Sequence, residues 1–233
     1  MATAHEARDE CAVTSPSVKI AILIFENLTA LDAVGPYEVL SRLPGADLRF
    51  VASETGPKTT ETRALTLVAD HSIDDVPKPD IVLVPGGLGT RELLDDERVL
   101  DWVRTAHESS QWTTSVCTGS LVLGAAGILD GLKATTYWAV LDRLREFGAE
   151  PTAERVVEQG KVITAAGVSS GIDMALQLAA RVAGEDVAKA IQLGIEYDPQ
   201  PPFDAGSPEK APEHIVALIR GLLEQEEAQA RAG

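Results

Sequence analysis

The sequence predicts an α/β fold: a doubly wound, mostly parallel sheet with helices on both of its faces. One observation is that residues 18–25 and 80–87 each contain a long apolar run, as in central strands that are covered on both sides. A second is that strand-like runs alternate with amphipathic stretches of helical length, which is the order that produces parallel strands joined by helices. We find no internal repeat and no flexible linker that would divide the chain.

Length and composition predict one soluble domain. The chain has 233 residues, of which 45% are hydrophobic and 24% charged, enough to bury a core without disulfides or metals. The formal net charge of −16 would repel phosphate backbones, so we expect no nucleic-acid partner. No stretch approaches the roughly 18 uncharged apolar residues of a membrane span, so we expect no membrane association.

The N-terminal segment differs in character from the rest. Residues 1–17 are charged and contain no apolar run, which predicts a disordered tail rather than a signal peptide, followed by a single domain over residues 18–233. The two cysteines, Cys11 and Cys117, do not form a disulfide framework. Together these features predict a cytoplasmic protein.

In the first third of the chain, the strand at residues 18–25 is followed by a predicted helix over 30–43. Pro36 predicts either a kink in this helix or a late start. Residues 48–52 are predicted to form a second strand. Residues 62–75 have the composition of irregular strands that extend or flank the sheet.

The remaining segments continue the alternation of strands and helices. In order, we predict a strand over 80–87 that ends in a Pro-Gly-Gly turn, a helix over 97–109, a strand over 112–116, helices over 119–127 and 139–147, a hairpin over 155–164 with its turn at Gln159-Gly160, helices over 168–183 and 186–197, a proline-rich loop over 199–212 and a last helix over 213–229.

Cys117 is the first candidate for chemistry. A strand is predicted to end at Val116 and a helix to begin near Thr118, which places Cys117 on a sharp turn like the nucleophile elbow of hydrolases. The positive potential at the helix N-terminus would stabilise a thiolate, the nucleophilic form of cysteine. The alternative is a buried structural cysteine, since free cysteines are among the most buried residues.

Two further strand ends carry suggestive residues. Gly86 and Gly87 would expose backbone N–H groups that can stabilise a developing negative charge, although they also fit an ordinary turn. Asp32 follows the first strand among apolar residues, and its burial would raise its pKa and suit it to acid–base work near neutral pH. The alternative for Asp32 is a helix N-cap.

Other kinds of site find no support in the sequence. His5, His71, His107 and His214 are scattered, so no metal site is predicted, and His107 is expected to be a surface residue. Residues 85–89 lack the spacing of a dinucleotide- or phosphate-binding loop, so no such loop is predicted.

These motifs resemble the ThiJ/PfpI superfamily, which has a glutamine-amidotransferase-like fold, and within it the isonitrile hydratase branch. The resemblance covers about residues 18–200. It depends on Leu31-Asp32-Ala33-Val34-Gly35-Pro36, Val84-Pro85-Gly86-Gly87, Ser115-Val116-Cys117-Thr118-Gly119-Ser120, Ala134-Thr135-Thr136 and Glu196-Tyr197-Asp198-Pro199-Gln200-Pro201-Pro202-Phe203.

The resemblance implies a flavodoxin-like three-layer sandwich, a homodimer and no cofactor. It implies that Cys117 is the nucleophile, that Asp32 is its acidic partner and that Thr118 assists them, with backbone amides near Gly87 and Thr118 binding an anion. Many relatives have histidine where this chain has Tyr137. A phenol cannot replace an imidazole base at neutral pH, so a Cys–His–acid triad is not predicted, although Tyr137 can still donate a hydrogen bond to substrate.

The predicted activity is therefore hydration of an isonitrile, a small-molecule substrate, to an N-substituted formamide. Asp32 is expected to protonate the isonitrile carbon while Cys117 adds to it, and the same carboxylate is then expected to activate water. Two alternatives remain open: a glyoxalase- or deglycase-like activity on 2-oxoaldehydes, and a non-enzymatic redox- or ligand-sensing module.

Overall fold

The computed structural model describes residues 17–232, with side chains as far as residue 225. Its strands are β1 (Val18–Leu23), β2 (Ala46–Ala52), β3 (Gly56–Thr59), β4 (Thr66–Ala69), β5 (His71–Ser72), β6 (Ile81–Val84), β7 (Trp112–Val116), β8 (Lys133–Ala134), β9 (Glu150–Pro151), β10 (Val156–Gln159) and β11 (Val162–Ala165). Its α-helices are α1 (Ala30–Leu40), α2 (Thr90–Leu93), α3 (Glu97–Ser109), α4 (Gly119–Ala125), α5 (Ser170–Ala183), α6 (Glu185–Gly194) and α7 (Glu213–Ala232). The segments Ile73–Asp75 and Trp138–Phe147 are 3-10 helices.

The main sheet has the strand order β10-β11-β7-β6-β1-β2-β5. Its pairs are parallel except for the β10–β11 hairpin. Helices α1, α5 and α6 pack together on one face, and α2, α3 and α4 pack together on the other. The predicted α/β sandwich with a mostly parallel central sheet is therefore confirmed.

Apolar side chains on both faces of the central strands hold these layers together. Ile20 and Ile22 of β1 and Ile81 and Leu83 of β6 are almost completely buried. Each such side chain contributes about 1.5–3 kcal/mol relative to an exposed position. Continuous apolar runs are thus what a doubly covered sheet requires.

The register of the parallel strands brings their carboxyl ends to one edge of the sheet. Ile22 of β1 lies opposite Leu83 of β6, and Val84 lies opposite Ser115 of β7. Val116 in turn lies opposite Ala165 of β11. The segments that follow these strands therefore meet above the same edge, where open α/β sheets bind their ligands.

Several predicted elements match closely. Helix α3 and strand β7 have the predicted bounds, and the hairpin turns at Gln159-Gly160, where Gly160 adopts a φ of 61°. Helix α1 begins at Ala30 with Pro36 in its interior, so the alternative of a late start is wrong.

Other elements differ from the prediction. The hairpin of β3 and β4 begins at Gly56, earlier than the irregular strands predicted over 62–75. The segment Trp138–Phe147 is a 3-10 helix interrupted at Val140, where φ is −122°, rather than an α-helix. The predicted tail at residues 1–17 lies outside the described residues except for Ser17. No helix in the described range is both long and apolar enough to cross a membrane.

Candidate active site

Cys117 lies on a strained turn between β7 and α4. Its φ is 56°, in the left-handed region that residues with a Cβ avoid at a cost of about 1–2 kcal/mol. Hydrogen bonds hold this conformation: the Cys117 N–H donates to the carbonyl oxygens of Ala165 (3.0 Å) and Ala166 (2.7 Å), and the Thr136 hydroxyl donates to the Cys117 carbonyl oxygen at 2.8 Å. The predicted strand–turn–helix geometry around Cys117 is present, and its strain is typical of a functional position.

The glycine pair after β6 allows this turn to approach closely. A Cβ atom on Gly86 would lie 2.6 Å from the Thr118 nitrogen and 2.8 Å from the Cys117 Cβ. Gly87 has a φ of 135°, which favours glycine. The two strand ends therefore meet as the sequence predicts, and any side chain at residue 86 would push Cys117 out of place.

Asp32 approaches the same point from the first turn of α1. The N-cap of this helix is Thr29, so the N-cap alternative for Asp32 does not apply. The Asp32 side chain is fully buried, and its Oδ2 accepts a hydrogen bond from the Gly86 N–H at 3.0 Å. Its Oδ1 makes no hydrogen bond of standard geometry with any described residue.

Burial raises the pKa of Asp32 from its ordinary 3.8 to about 7. The Gly86 N–H and the neighbouring thiol of Cys117 partly oppose this effect, and the negative charge of Glu61 adds to it. A large fraction of Asp32 is therefore neutral at physiological pH. A neutral carboxyl can donate a proton, as the sequence-based hypothesis requires.

The thiol of Cys117 behaves differently from the expectation of a helix-stabilised thiolate. It is almost completely buried, and burial raises its pKa well above the usual range, helped by the charges of Asp32 and Glu61. The Thr118 N–H lowers the pKa of the thiol, but it does not offset burial. Cys117 and Asp32 thus form a coupled pair that holds at least one proton at neutral pH.

The N–H groups of the glycine pair are already occupied. The Gly86 N–H donates to Asp32, and the Gly87 N–H donates to the Thr118 Oγ1 at 3.0 Å. The Thr118 Oγ1 also accepts a hydrogen bond from the Thr90 hydroxyl at 3.1 Å. In this structure the two glycines therefore orient Asp32 and Thr118 rather than presenting free donors to an anion, which differs from their predicted role. The Thr118 N–H is the backbone donor near the sulfur.

A cavity of about 730 Å³ opens above Cys117. The 3-10 segment and α7 contribute both apolar and charged side chains to its wall. The described residues that line it are Thr29, Glu61, Thr62, Gly87, Leu88, Thr90, Arg91, Leu94, Cys117, Thr118, Leu121, Tyr137, Trp138, Ala139, Val140, Leu141, Asp142, Arg143, Val168, Arg220, Leu223 and Glu224.

The lining separates the predicted site residues into two groups. Cys117, Thr118, Gly87 and Tyr137 face the cavity, whereas Asp32 lies behind Cys117 and does not line it. Among these lining residues there is no histidine, so no imidazole base replaces the missing triad member. The cavity has the size and mixed lining of a site for a small organic molecule.

Glu61 is a cavity residue that sequence reasoning missed. It follows β3, and its two carboxyl oxygens accept hydrogen bonds from the Thr29 hydroxyl (2.8 Å) and from the Leu88 N–H (3.2 Å). It belongs to a short threonine-rich loop with no recognisable pattern, and only the folded hairpin brings it to the cavity.

The histidines that the structure describes, His71, His107 and His214, do not line this cavity. Nδ1 of His107 lies 2.8 Å from the Thr113 hydroxyl, near the amino end of β7 and away from Cys117, and His107 is half-buried rather than on the surface. Within residues 17–232, no group of three or more His, Cys, Asp or Glu side chains is arranged to hold a metal ion.

Comparison with known proteins places these features in context. The model of the DJ-1/PfpI family matches residues 18–181. The isonitrile hydratase of Pseudomonas putida is 44% identical over 204 residues, which are 88% of this chain and 89% of that protein. The transcriptional regulator GbdR of Pseudomonas aeruginosa is 28% identical over 187 residues, and these cover 77% of this chain but only 50% of the regulator.

A solved structure has the same fold. A ThiJ/PfpI family protein from Pseudomonas syringae superposes with a TM-score of 0.87 and 35% identity, covering 100% of this chain and 98% of the other. The similarity in fold therefore extends over the whole chain.

Proposed function

The chain belongs to the DJ-1/PfpI family, and we propose that it is an isonitrile hydratase, an enzyme that adds water to an isonitrile to form an N-substituted formamide. The observation that carries the proposal is the pairing of a cavity-facing Cys117 with a buried Asp32 whose pKa is about 7. The 44% identity to the isonitrile hydratase of Pseudomonas putida, over most of both chains, supports the same reaction.

The proposed first half of the reaction uses the Cys117–Asp32 pair. An isonitrile carbon carries a lone pair, so it must gain a proton before a nucleophile can attack it. The Cys117 sulfur, which lies next to Asp32, forms a bond to the isonitrile carbon as Asp32 supplies a proton to that carbon. The thiol proton of Cys117 passes to the Asp32 carboxylate, so the product is a thioimidate on Cys117 beside a protonated Asp32. In total the pair has given one proton to the substrate.

The site suits this chemistry for two physical reasons. Burial keeps Asp32 partly protonated at neutral pH, which makes it a better acid than an exposed aspartate. The Thr118 N–H lies against the sulfur and lowers the pKa of the thiol, so it stabilises the charge that forms when Cys117 attacks.

The proposal is tested by measuring formamide production from cyclohexyl isocyanide by the wild type and by Cys117→Ala. We expect the wild type to turn over and Cys117→Ala to lose at least 1,000-fold in rate, with an unchanged circular dichroism spectrum. Activity that is absent from the wild type, or equal in the two proteins, contradicts the proposal. Depletion of methylglyoxal in the same preparations reveals a glyoxalase-like activity instead.

Redox sensing fits the site less well than catalysis. Peroxide reacts with thiolates, and Cys117 is buried with a raised pKa. Mass spectrometry after mild peroxide treatment is the corresponding test, and rapid oxidation of Cys117 would favour a sensor.

The homodimer that the family resemblance implies also remains a proposal. Leu193 and Phe203 are 78% and 79% exposed, and Leu218 of α7 is 56% exposed, so apolar surface is available for a second copy. Light scattering after size-exclusion chromatography would give the mass, and a monomer at micromolar concentration would contradict the proposal.

A further inference from the structure

The second half of the proposed reaction needs a base that can reach water in the cavity. Water must attack the thioimidate carbon on the open side of Cys117, and a group that faces the cavity must take its proton. Asp32 is a poor candidate for this step. Its side chain is fully buried behind Cys117, it does not line the cavity, and one of its oxygens is held by the Gly86 N–H.

Glu61 has the position that Asp32 lacks. It lines the cavity together with Cys117, and its carboxyl oxygens are fixed by the Thr29 hydroxyl and the Leu88 N–H. Each oxygen accepts one hydrogen bond in this arrangement, which leaves a lone pair on each for a water molecule. Thr29 lies between β1 and Asp32, and Leu88 follows the glycine pair. Both hydrogen bonds therefore hold Glu61 beside the segments that carry the reacting groups.

Two other carboxyl groups line the cavity, but neither matches this placement. Asp142 has a side chain that is 93% exposed, and Glu224 is an exposed residue of α7 on the outer wall. Only Glu61 is close enough for its charge to raise the pKa values of both Cys117 and Asp32. Thr118 and Tyr137 also face the site, but hydroxyl groups are weak bases at neutral pH.

We propose that Glu61 is the general base that activates the hydrolytic water, an inference that rests on the proposed function. The water oxygen forms a bond to the thioimidate carbon, and Glu61 takes one water proton and passes it to the imine nitrogen. The carbon–sulfur bond of the tetrahedral intermediate then breaks, and its electron pair stays on sulfur. Glu61 transfers the hydroxyl proton to the departing sulfur, which regenerates the Cys117 thiol and releases the formamide.

In this scheme the two carboxyl groups divide the acid and base work. Asp32 is buried and keeps a proton for the first step, whereas Glu61 faces the cavity and is held there by hydrogen bonds from Thr29 and Leu88. Environments that make one carboxyl an acid and the other a base are a recurrent solution in enzymes that work near neutral pH.

The test is to mix Glu61→Gln with cyclohexyl isocyanide, quench at short times and measure the mass of the intact protein. We expect turnover to fall by about 100- to 10,000-fold, the usual contribution of a general base, while a Cys117 adduct heavier by one substrate molecule accumulates. Glu54→Gln, which removes an exposed negative charge just before β3, is the matched control and should behave like the wild type.

A second variant separates catalysis from folding. Thr29→Val keeps the Glu61 charge and removes only one of its anchoring hydrogen bonds, so it should give a smaller loss of turnover with the same adduct. Normal turnover by Glu61→Gln, or lost turnover without an adduct in both variants, would overturn the role of Glu61. Failure of the proposed function is a different result, because the wild type itself would then form no formamide.

Discussion

Replacing Asp32 by asparagine should change how the stability of the protein depends on pH. In the native state burial raises the pKa of Asp32 to about 7, whereas in the unfolded chain the pKa is near 3.8. Below pH 3.8 the carboxyl is protonated in both states and does not affect folding. Between these two values the unfolded chain ionises while the native protein resists ionisation, so the wild type loses stability as the pH rises.

The size of this loss follows from the two pKa values. Each unit of difference is worth about 1.36 kcal/mol, so the free energy of unfolding should fall by about 4 kcal/mol between pH 4 and pH 8. Asparagine is neutral at every pH, and its side-chain oxygen can still accept the Gly86 N–H. The difference in unfolding free energy between Asp32→Asn and the wild type should therefore grow by about 4 kcal/mol over this range.

Urea unfolding at half-unit intervals from pH 4 to pH 8 measures the difference. Asp95→Asn, which removes an exposed carboxyl, controls for the loss of one negative charge. The absolute offset between Asp32→Asn and the wild type includes the packing of the amide, so the test depends on the slope with pH. A difference that stays constant within about 1 kcal/mol would refute the buried, proton-holding carboxyl.

Three further predictions concern the residues around the sulfur. Asp32→Asn should lower the pKa of Cys117 because a neighbouring negative charge is lost. The pH profile for alkylation of Cys117 by iodoacetamide should then move to lower pH, with a rate at pH 8 about tenfold higher, and an unchanged profile would mean that the two groups do not interact. Thr118→Val should leave the Gly87 N–H without its acceptor and lower the free energy of unfolding, measured by urea titration, by about 1–3 kcal/mol. A change below about 0.5 kcal/mol, the usual size of a neutral surface substitution, would contradict the hydrogen bond. Gly86→Ala should displace the turn at Cys117 and reduce kcat by at least about 100-fold with substrate binding less affected, and wild-type kinetics would show that the close approach is unimportant.

The sequence predicted the parts of the site that depend on local patterns. An apolar strand followed at once by Cys117 and small residues is a strand–turn–helix signal, and the parallel topology then requires Cys117, Gly86 and Asp32 to meet at one edge. The sequence also predicted that the pKa of Asp32 is raised, because an aspartate among apolar residues is expected to be buried.

Other features depend on tertiary contacts that no local pattern encodes. Strand β3 begins with Gly-Pro, which usually indicates a turn, and it forms because β4 pairs with it. Glu61 reaches the cavity only through this hairpin. Likewise, the amphipathic pattern of residues 138–147 predicts an α-helix, but packing over the cavity and onto α4 selects a 3-10 segment.

The raised pKa of Cys117 helps to discriminate between the candidate reactions. An enzyme that attacks an electrophilic carbonyl benefits from a preformed thiolate, which a low thiol pKa provides. An isonitrile is different, because its carbon must accept a proton before it becomes electrophilic. A pair that retains a proton at neutral pH and releases it to the substrate as the sulfur attacks meets this need, and burial of both Cys117 and Asp32 produces such a pair. The same burial keeps Asp32 away from the cavity, so the proposed hydrolysis of the thioimidate needs a second carboxyl group that faces the cavity, and Glu61 is the group proposed for this role.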